Sequence, residues 1–452
     1  MKTPPQNVTR RSFIRNTTMA SVAAATPYIV PASALGRSGA VPANDRLQIG
    51  LIGCGGMGRG NLANCAKYPD VQVTAVCDVW KARRDATAAQ YAGSKPYHHF
   101  GEMLHSVELD GVIIATPPHW HFLIAVAACE AGKDIYLQKP MTRYPAEALA
   151  LRAAVRQHQR ISQIGTQIHA TENYRRVVEW IRSGRLGKIS VVRTFNVMNQ
   201  GPNGIGNPPP SKPPRGLDWN LWVGPAKQYP YNPLVVRSAY ENCSFMEFSG
   251  GWTPGMAPHI IDLPFWALDL GVPLRTTCSG GRFVIHDIGD APDSQEILWE
   301  YPNMTMAWSM NLANSFGFDF GRGTRARRLG IYFQGLNATL YANYSMHQIV
   351  PEGDFLQDTT PPEKSIPPSP GQEREWLDCI KSRKQPSCNV DYHYKLDLAI
   401  SLANLSMQVH RTIQFDSSTE KIVGDPEAAR LAKPEYRAPW TFPNKYLKSA
   451  LH

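Results

Sequence analysis

Apolar residues early in this chain come in short, nearly continuous runs, and further on they alternate with polar ones. The runs are "LQIGLI" (47–52), "VQVTAVCD" (71–78), "DGVIIATPP" (110–118) and "KDIYLQKP" (133–140). Each has the length of a strand, and a strand apolar on both faces belongs in a parallel sheet covered on both sides. Segments of helical length separate them, among them "HFLIAVAACEAGK" (121–133). Strand and helix thus alternate at βαβ spacing, which predicts a doubly wound parallel (Rossmann-type) α/β domain over 46–165. From about 166 the period changes. "GKISVVRTFNVM" (187–198) alternates, and "GRFVIHDI", "SQEILWEYP", "MTMAWSMNL", "RLGIYFQG" and "ATLYANYS" follow between 281 and 345, separated by turn residues. These predict an antiparallel meander, hence a second, α+β domain over 166–452. "NQGPNGIGNPPPSKPPRG" (199–216) is too rich in Pro and Gly for an element, and 354–372 reads as a loop. Two helices, around 374–386 and 393–412, complete the chain and read as packing elements.

The first run enters Gly53-Cys54-Gly55-Gly56-Met57-Gly58. At that spacing Gly53 permits the tight turn, Gly55 lets backbone approach a pyrophosphate, and Gly58 lets the next helix sit close to the strand. The N–H groups of Gly56 and Met57 would then face the phosphates at the helix start. A glycine turn alone is also a generic loop. Asp78, twenty residues after Gly58, adds the missing context, because a carboxylate there can bind a ribose diol and would repel a 2′-phosphate. NAD is therefore expected, with NADP kept open by Arg83 and Arg84 nearby. Lys139 ends a later strand of the same sheet, at the edge where open α/β folds bind ligands. Gln138 precedes it, and Thr116, Pro117 and His121 of "TPPHWH" (116–121) end the neighbouring strand. All five are expected at the nicotinamide end of the crevice.

The chain has 452 residues and a formal charge of +10, but Lys2, Arg10, Arg11 and Arg15 fall in its first fifteen positions. The remaining excess is spread out, with no basic stripe interleaved with aromatics, which argues against nucleic-acid binding. "TRRSFIR" (9–15), a weakly apolar run and "ASA" at 32–34 resemble a twin-arginine export signal cleaved after Ala34, with 35–45 as linker. A basic tail is the plainer alternative. The signal implies recognition by the export machinery, a periplasmic location and no membrane anchor after cleavage. Eight cysteines in a chain of this length do not make a disulfide scaffold. Cys379 and Cys388 bracket a loop they could close, and without a Cys-x-x-Cys pair no metal site is expected.

Together the glycine turn, "ATPPHWH", "AGKDIYLQKPM", "RSGRLGKI" (182–189) and "GGWTPGMAPHIIDLPFWAL" (250–268) resemble the glucose–fructose oxidoreductase / inositol dehydrogenase (Gfo/Idh/MocA) family. The resemblance implies an open, mostly antiparallel sheet in the second domain, a face that often joins copies into a homo-oligomer. It also implies a catalytic role for Lys139 on a sugar or cyclitol. Two positions depart from the family pattern. Gln138 stands where Glu is usual, and if the two side chains are close the lysine loses a stabilising charge. His259 is present, but the acid usual four residues before it is Gly255, and the glycine usual two before it is Ala257. Asp262, three residues on, shares a helix face with His259 and could orient it or merely support the helix. His259 itself is either an acid/base group or a satisfied core histidine.

The expected activity is NAD-dependent oxidation of a carbohydrate or cyclitol hydroxyl. Lys139, with or without His259, would move the proton while hydride passes to a tightly bound nicotinamide. His169, Asn196, Trp219, Trp252 and Asp262 are the substrate-side candidates; Trp219 and Trp222 could stack on a sugar or pack beneath the loop. An exported enzyme has little free NAD, so a redox-neutral glycoside cleavage is the first alternative: oxidation, elimination, re-reduction. A non-catalytic sugar-binding protein is the second.

Overall fold

Six parallel strands form the first sheet: β1 (Leu47–Ile52), β2 (Val71–Cys77), β3 (Lys95–Tyr97), β4 (Gly111–Ile114), β5 (Asp134–Leu137) and β6 (Ser162–Ile164). Their spatial order is β3-β2-β1-β4-β5-β6, with every neighbouring pair parallel. The order reverses between β1 and β4, and the crevice beyond the carboxyl ends at that point is the ligand position of such sheets. All four residues of β4 and of β5 are buried, as continuous apolar runs require. The computed structural model describes residues 41–42, 45–317 and 328–447, and those from Leu47 onward form one compact unit. The expected export segment lies outside the described residues.

The second sheet has nine strands: β7 (Ile189–Val197), β8 (Arg275–Gly281), β9 (Ser294–Tyr301), β10 (Met304–Asn311), β11 (Arg328–Gly335), β12 (Ala338–Ala342), β13 (His347–Pro351), β14 (Ile413–Asp416) and β15 (Lys421–Ile422). In space they run β13-β12-β11-β7-β10-β9-β8-β14-β15. Every pair is antiparallel except β7–β10, where Thr305–Asn311 lies parallel to Val191–Val197. Burial alternates along β9 and β10, so one face is packed. Helices Glu172–Arg182, Pro258–Leu268 and Val390–Val409 cover that face, and their Val177, Ile260, Leu263, Leu396 and Ala403 share one buried core with Trp299 and Trp308.

One expected strand moves. "GRFVIHDI" is a loop after β8, because the Asp293 carboxylate accepts the backbone N–H groups of Phe283, Val284 and Ile285. A side chain has taken donors that a ladder would have used. The Pro/Gly excursion is an irregular loop, but its end zips onto the first domain. The Asp218 N–H bonds Val79 O at 3.0 Å and the Lys81 N–H bonds Gly216 O at 2.8 Å.

Candidate functional site

The glycine turn is held by contacts that no side chain could share. A Cβ on Gly58 would lie 2.1 Å from Gly53 O, and one on Gly53, at φ +96°, 2.6 Å from Ala115 O. A Cβ on Gly55 or Gly56 would meet nothing within 4 Å. Their backbone borders free space at the start of helix Gly56–Ala66, whose first N–H groups have no side-chain cap. That is what a dinucleotide pyrophosphate needs. A cleft of ≈ 330 Å³ continues from Gly56 and Met57 to Gln167, Ala170 and Gln372.

Asp78 caps the turn from below. One carboxylate oxygen accepts Cys54 N–H and the other Trp80 N–H, both at 2.8 Å, leaving each a lone pair for a ribose hydroxyl. Burial pushes this carboxyl up, against the pull of the two backbone donors. The arginines that kept NADP open are engaged elsewhere. Arg83 donates to Val236 O and stacks on Trp80 at 4.3 Å, and Arg84 pairs with Asp85.

Gln138 and Lys139 follow β5 and point to different neighbours. The half-buried Lys139 reaches the other domain, its Nζ donating to Gly255 O at 2.9 Å. Gln138 is 4 % exposed and its Nε2 donates to Asn61 Oδ1 at 2.7 Å, in the helix after the glycine turn. The expectation that Gln138 tunes the lysine by its lack of charge therefore loses its premise, since its head group is committed to Asn61. Successive residues leaving a strand diverge. His121 is buried with its ring nitrogens against Pro140 O (2.7 Å) and Thr116 O (2.8 Å). Burial lowers its pKa to about 4, so the neutral ring carries one N–H and donates to one of these two carbonyls. Thr116 Oγ1 is a buried hydroxyl with no protein partner at that edge. Pro117 N-caps helix Pro118–Glu130.

Gly255 occupies the position where the family pattern has an acid, and its carbonyl receives the lysine. A Cβ there would lie 2.5 Å from Cys243 Sγ, so a thiol fills the space a carboxylate side chain would enter. His259, in the first turn of helix Pro258–Leu268, has Nδ1 2.8 Å from Tyr344 OH. Tyr344 follows β12 and carried no sequence signal. Asp262 does not orient His259. It is fully buried, accepts from Thr166 Oγ1 (2.8 Å) and Tyr392 OH (2.5 Å), and faces His169 Nε2 at 3.5 Å. Three residues of helix turn Asp262 past His259 toward β6.

Asn196 is fully buried on β7, and neither its Oδ1 nor its Nδ2 has a partner. Trp252 is buried, donates to Ser244 Oγ and meets Tyr240 edge-on at 4.8 Å. Trp219 stacks on Trp222 at 4.8 Å within a cluster that includes Phe245, Phe248 and Trp80. The tryptophan pair thus packs beside the residues after Asp78. Cys379 and Cys388 are free thiols, as are all the other described cysteines.

The geometry is matched by relatives. Residues 47–166 match the model of an oxidoreductase family with an NAD-binding Rossmann fold, and 323–442 that family's C-terminal alpha/beta domain. A glycosyl hydrolase family 109 protein 2 from Shewanella sp. (strain ANA-3) is 30% identical over 154 residues, 29% of this chain and 33% of that protein. Inositol 2-dehydrogenase from Salmonella typhimurium is 29% identical over 145 residues, 31% of this chain and 43% of that one. The chain thus matches under half the length of these curated relatives. Among solved structures, the WlbA dehydrogenase from Bordetella pertussis, in complex with NADH and UDP-GlcNAcA, superposes with TM-score 0.60 at 16% identity. That match covers 82% of this chain and 99% of the other. Levoglucosan dehydrogenase, in complex with NADH and L-sorbose, gives TM-score 0.58 at 17% identity over 82% of this chain and 99% of the other. With the family's two domain models matched across just over half its residues and the fold shared over 82% of its length, the chain belongs to the Gfo/Idh/MocA family of NAD-binding oxidoreductases.

Proposed function

We propose that this protein oxidises a carbohydrate or cyclitol hydroxyl with a tightly held NAD, after export to the periplasm. The observation that carries the reading is Lys139, whose ammonium leaves the carboxyl end of β5 and meets the Gly255 carbonyl four residues before His259. Gly55, Gly56 and Asp78 would hold the dinucleotide, which supplies the hydride acceptor. Lys139 is then the proton-transfer group, because removal of a hydroxyl proton must accompany hydride departure in a dry cleft. His259, oriented by Tyr344, is the second titratable group on the facing segment. The unsatisfied Asn196 amide marks a place where a substrate hydroxyl could bond.

A second reading is redox-neutral glycoside cleavage, supported by the family 109 relatives and by the scarcity of free NAD outside the cytoplasm. Release of bound small molecules by denaturation, identified by mass spectrometry, tests the cofactor. Lys139→Ala should retain it and lose turnover by about 100-fold or more. Unchanged turnover refutes the catalytic role, and inactivity of both forms with equal sugar affinity would leave a binding protein. Turnover without added NAD and without net change in reduced-cofactor absorbance selects the redox-neutral course.

A further inference from the structure

Between β6 and helix Pro258–Leu268 lies a group of donors that the cofactor cleft does not use. A ring nitrogen of His169, a carboxylate oxygen of Asp262 and the Cys388 sulfur all lie within 4.8 Å of one another, and all three residues are buried. The His393 ring is the next donor, its Nδ1 3.7 Å from the Cys388 sulfur. His169 approaches Asp262 at 3.5 Å, too far for a strong hydrogen bond, and both its ring nitrogens lack partners, as does Nε2 of His393. Orphaned imidazole nitrogens in a dry interior are rare.

We propose that His169, Asp262 and Cys388, with His393 beside them, form a structural site for a divalent transition metal of the zinc class. Zinc takes His nitrogen, carboxylate oxygen and thiolate sulfur at about 2.0–2.3 Å in tetrahedral array, which sets ligand atoms about 3.3–3.8 Å apart. The 3.5 and 3.7 Å separations fall in that range. Charge also closes, since one carboxylate and one thiolate neutralise a dication and the imidazoles bind as neutral rings. Thr166 and Tyr392 donate to Asp262, the outer hydrogen bonds that orient a ligating carboxylate. The ion would fasten the segment after β6 and the turn before helix Val390–Val409 to helix Pro258–Leu268. Sequence spacing hides the site, because no two of its three core ligands are close along the chain.

The test uses the full chain, purified without a polyhistidine tag from zinc-supplemented medium, with metal measured by plasma mass spectrometry. About one zinc per chain is expected, falling below about a tenth in Cys388→Ser and in Asp262→Asn. Cobalt exchanged into the wild-type chain should give a thiolate-to-metal absorption band that Cys388→Ser lacks. A wild-type chain carrying less than about a tenth of an equivalent, whose melting temperature ignores dipicolinate, overturns the proposal. That outcome needs no variant to fold and no activity to be known.

Discussion

Gln138→Glu restores the residue usual before Lys-Pro, and the structure says it should be harmful here in a pH-dependent way. The side chain is 4 % exposed, and its Nε2 donates to Asn61 Oδ1 at 2.7 Å. Asn61 Nδ2 is in turn spent on Glu373 Oε1 at 2.8 Å, and Asn64 also donates to that oxygen. Gly165 closes the far side, since a Cβ there would sit 2.8 Å from Gln138 Nε2. A carboxylate at 138 therefore finds no free donor on Asn61. Turning the Asn61 amide to serve it would strip Glu373 and leave two carboxylates competing for one NH2 group. Ionised and unpaired, such a group costs about 3–5 kcal/mol. It can escape by staying protonated, which raises its folded pKa by about 2–3 units at 1.36 kcal/mol each. For a raised carboxyl, stability is intact below the free Glu value near 4.3 and is lost as pH rises through the folded value. Urea unfolding should thus show a loss of about 1 kcal/mol at pH 5 and about 3–4 kcal/mol at pH 8. Equal losses at both pH values, or none at pH 8, would refute the assignment of Gln138 to Asn61.

Asp397 tests the same physics in a native residue. Burial raises its carboxyl to about 7, against Thr142 donors and with Glu147 adding to the rise. Stability should be full below the free Asp value near 3.9, fall by roughly 4 kcal/mol as pH rises from there to about 7 and level off above, and Asp397→Asn should flatten that profile in pH-dependent melting. Gly58→Ala places a methyl 2.1 Å from Gly53 O, so bound nucleotide should fall by at least about tenfold in whatever soluble protein remains; full occupancy would contradict the turn geometry.

The parallel sheet was legible because β1, β2, β4 and β5 are buried on both faces and so appear as near-continuous apolar runs. The strand β3 is Lys-Pro-Tyr at an edge, with two of its three residues exposed, and no apolar pattern marks it. Pairing of β7 with β10 across a hundred residues depends on helices that cover one face, which local periodicity cannot report. At the site, Lys139 and Asp78 were legible from their positions after strands. The divergence of Gln138 from Lys139 could have been anticipated from strand alternation. The Gly255 carbonyl and the Tyr344 hydroxyl could not, because a backbone acceptor has no residue type and Tyr344 lies 85 residues from His259.

Replacing an acid by Gly255 changes what Lys139 can do with a proton. A carbonyl holds an ammonium in place but cannot take its proton, whereas a carboxylate can do both. Net oxidation must discharge one proton from the site each turnover; a redox-neutral cycle returns it to the substrate. The geometry also says how to restore the acid. Asp at 255 alone collides with Cys243 Sγ at 2.5 Å, while the Cys243 Cβ is 3.7 Å away, so Gly255→Asp needs Cys243→Ala beside it. The double variant should gain roughly tenfold in net sugar oxidation over Cys243→Ala, read as NADH formed per chain, and the single Gly255→Asp should lose stability. If the double variant holds NAD yet oxidises no faster than Cys243→Ala, the carbonyl is only an anchor and proton discharge runs through another group.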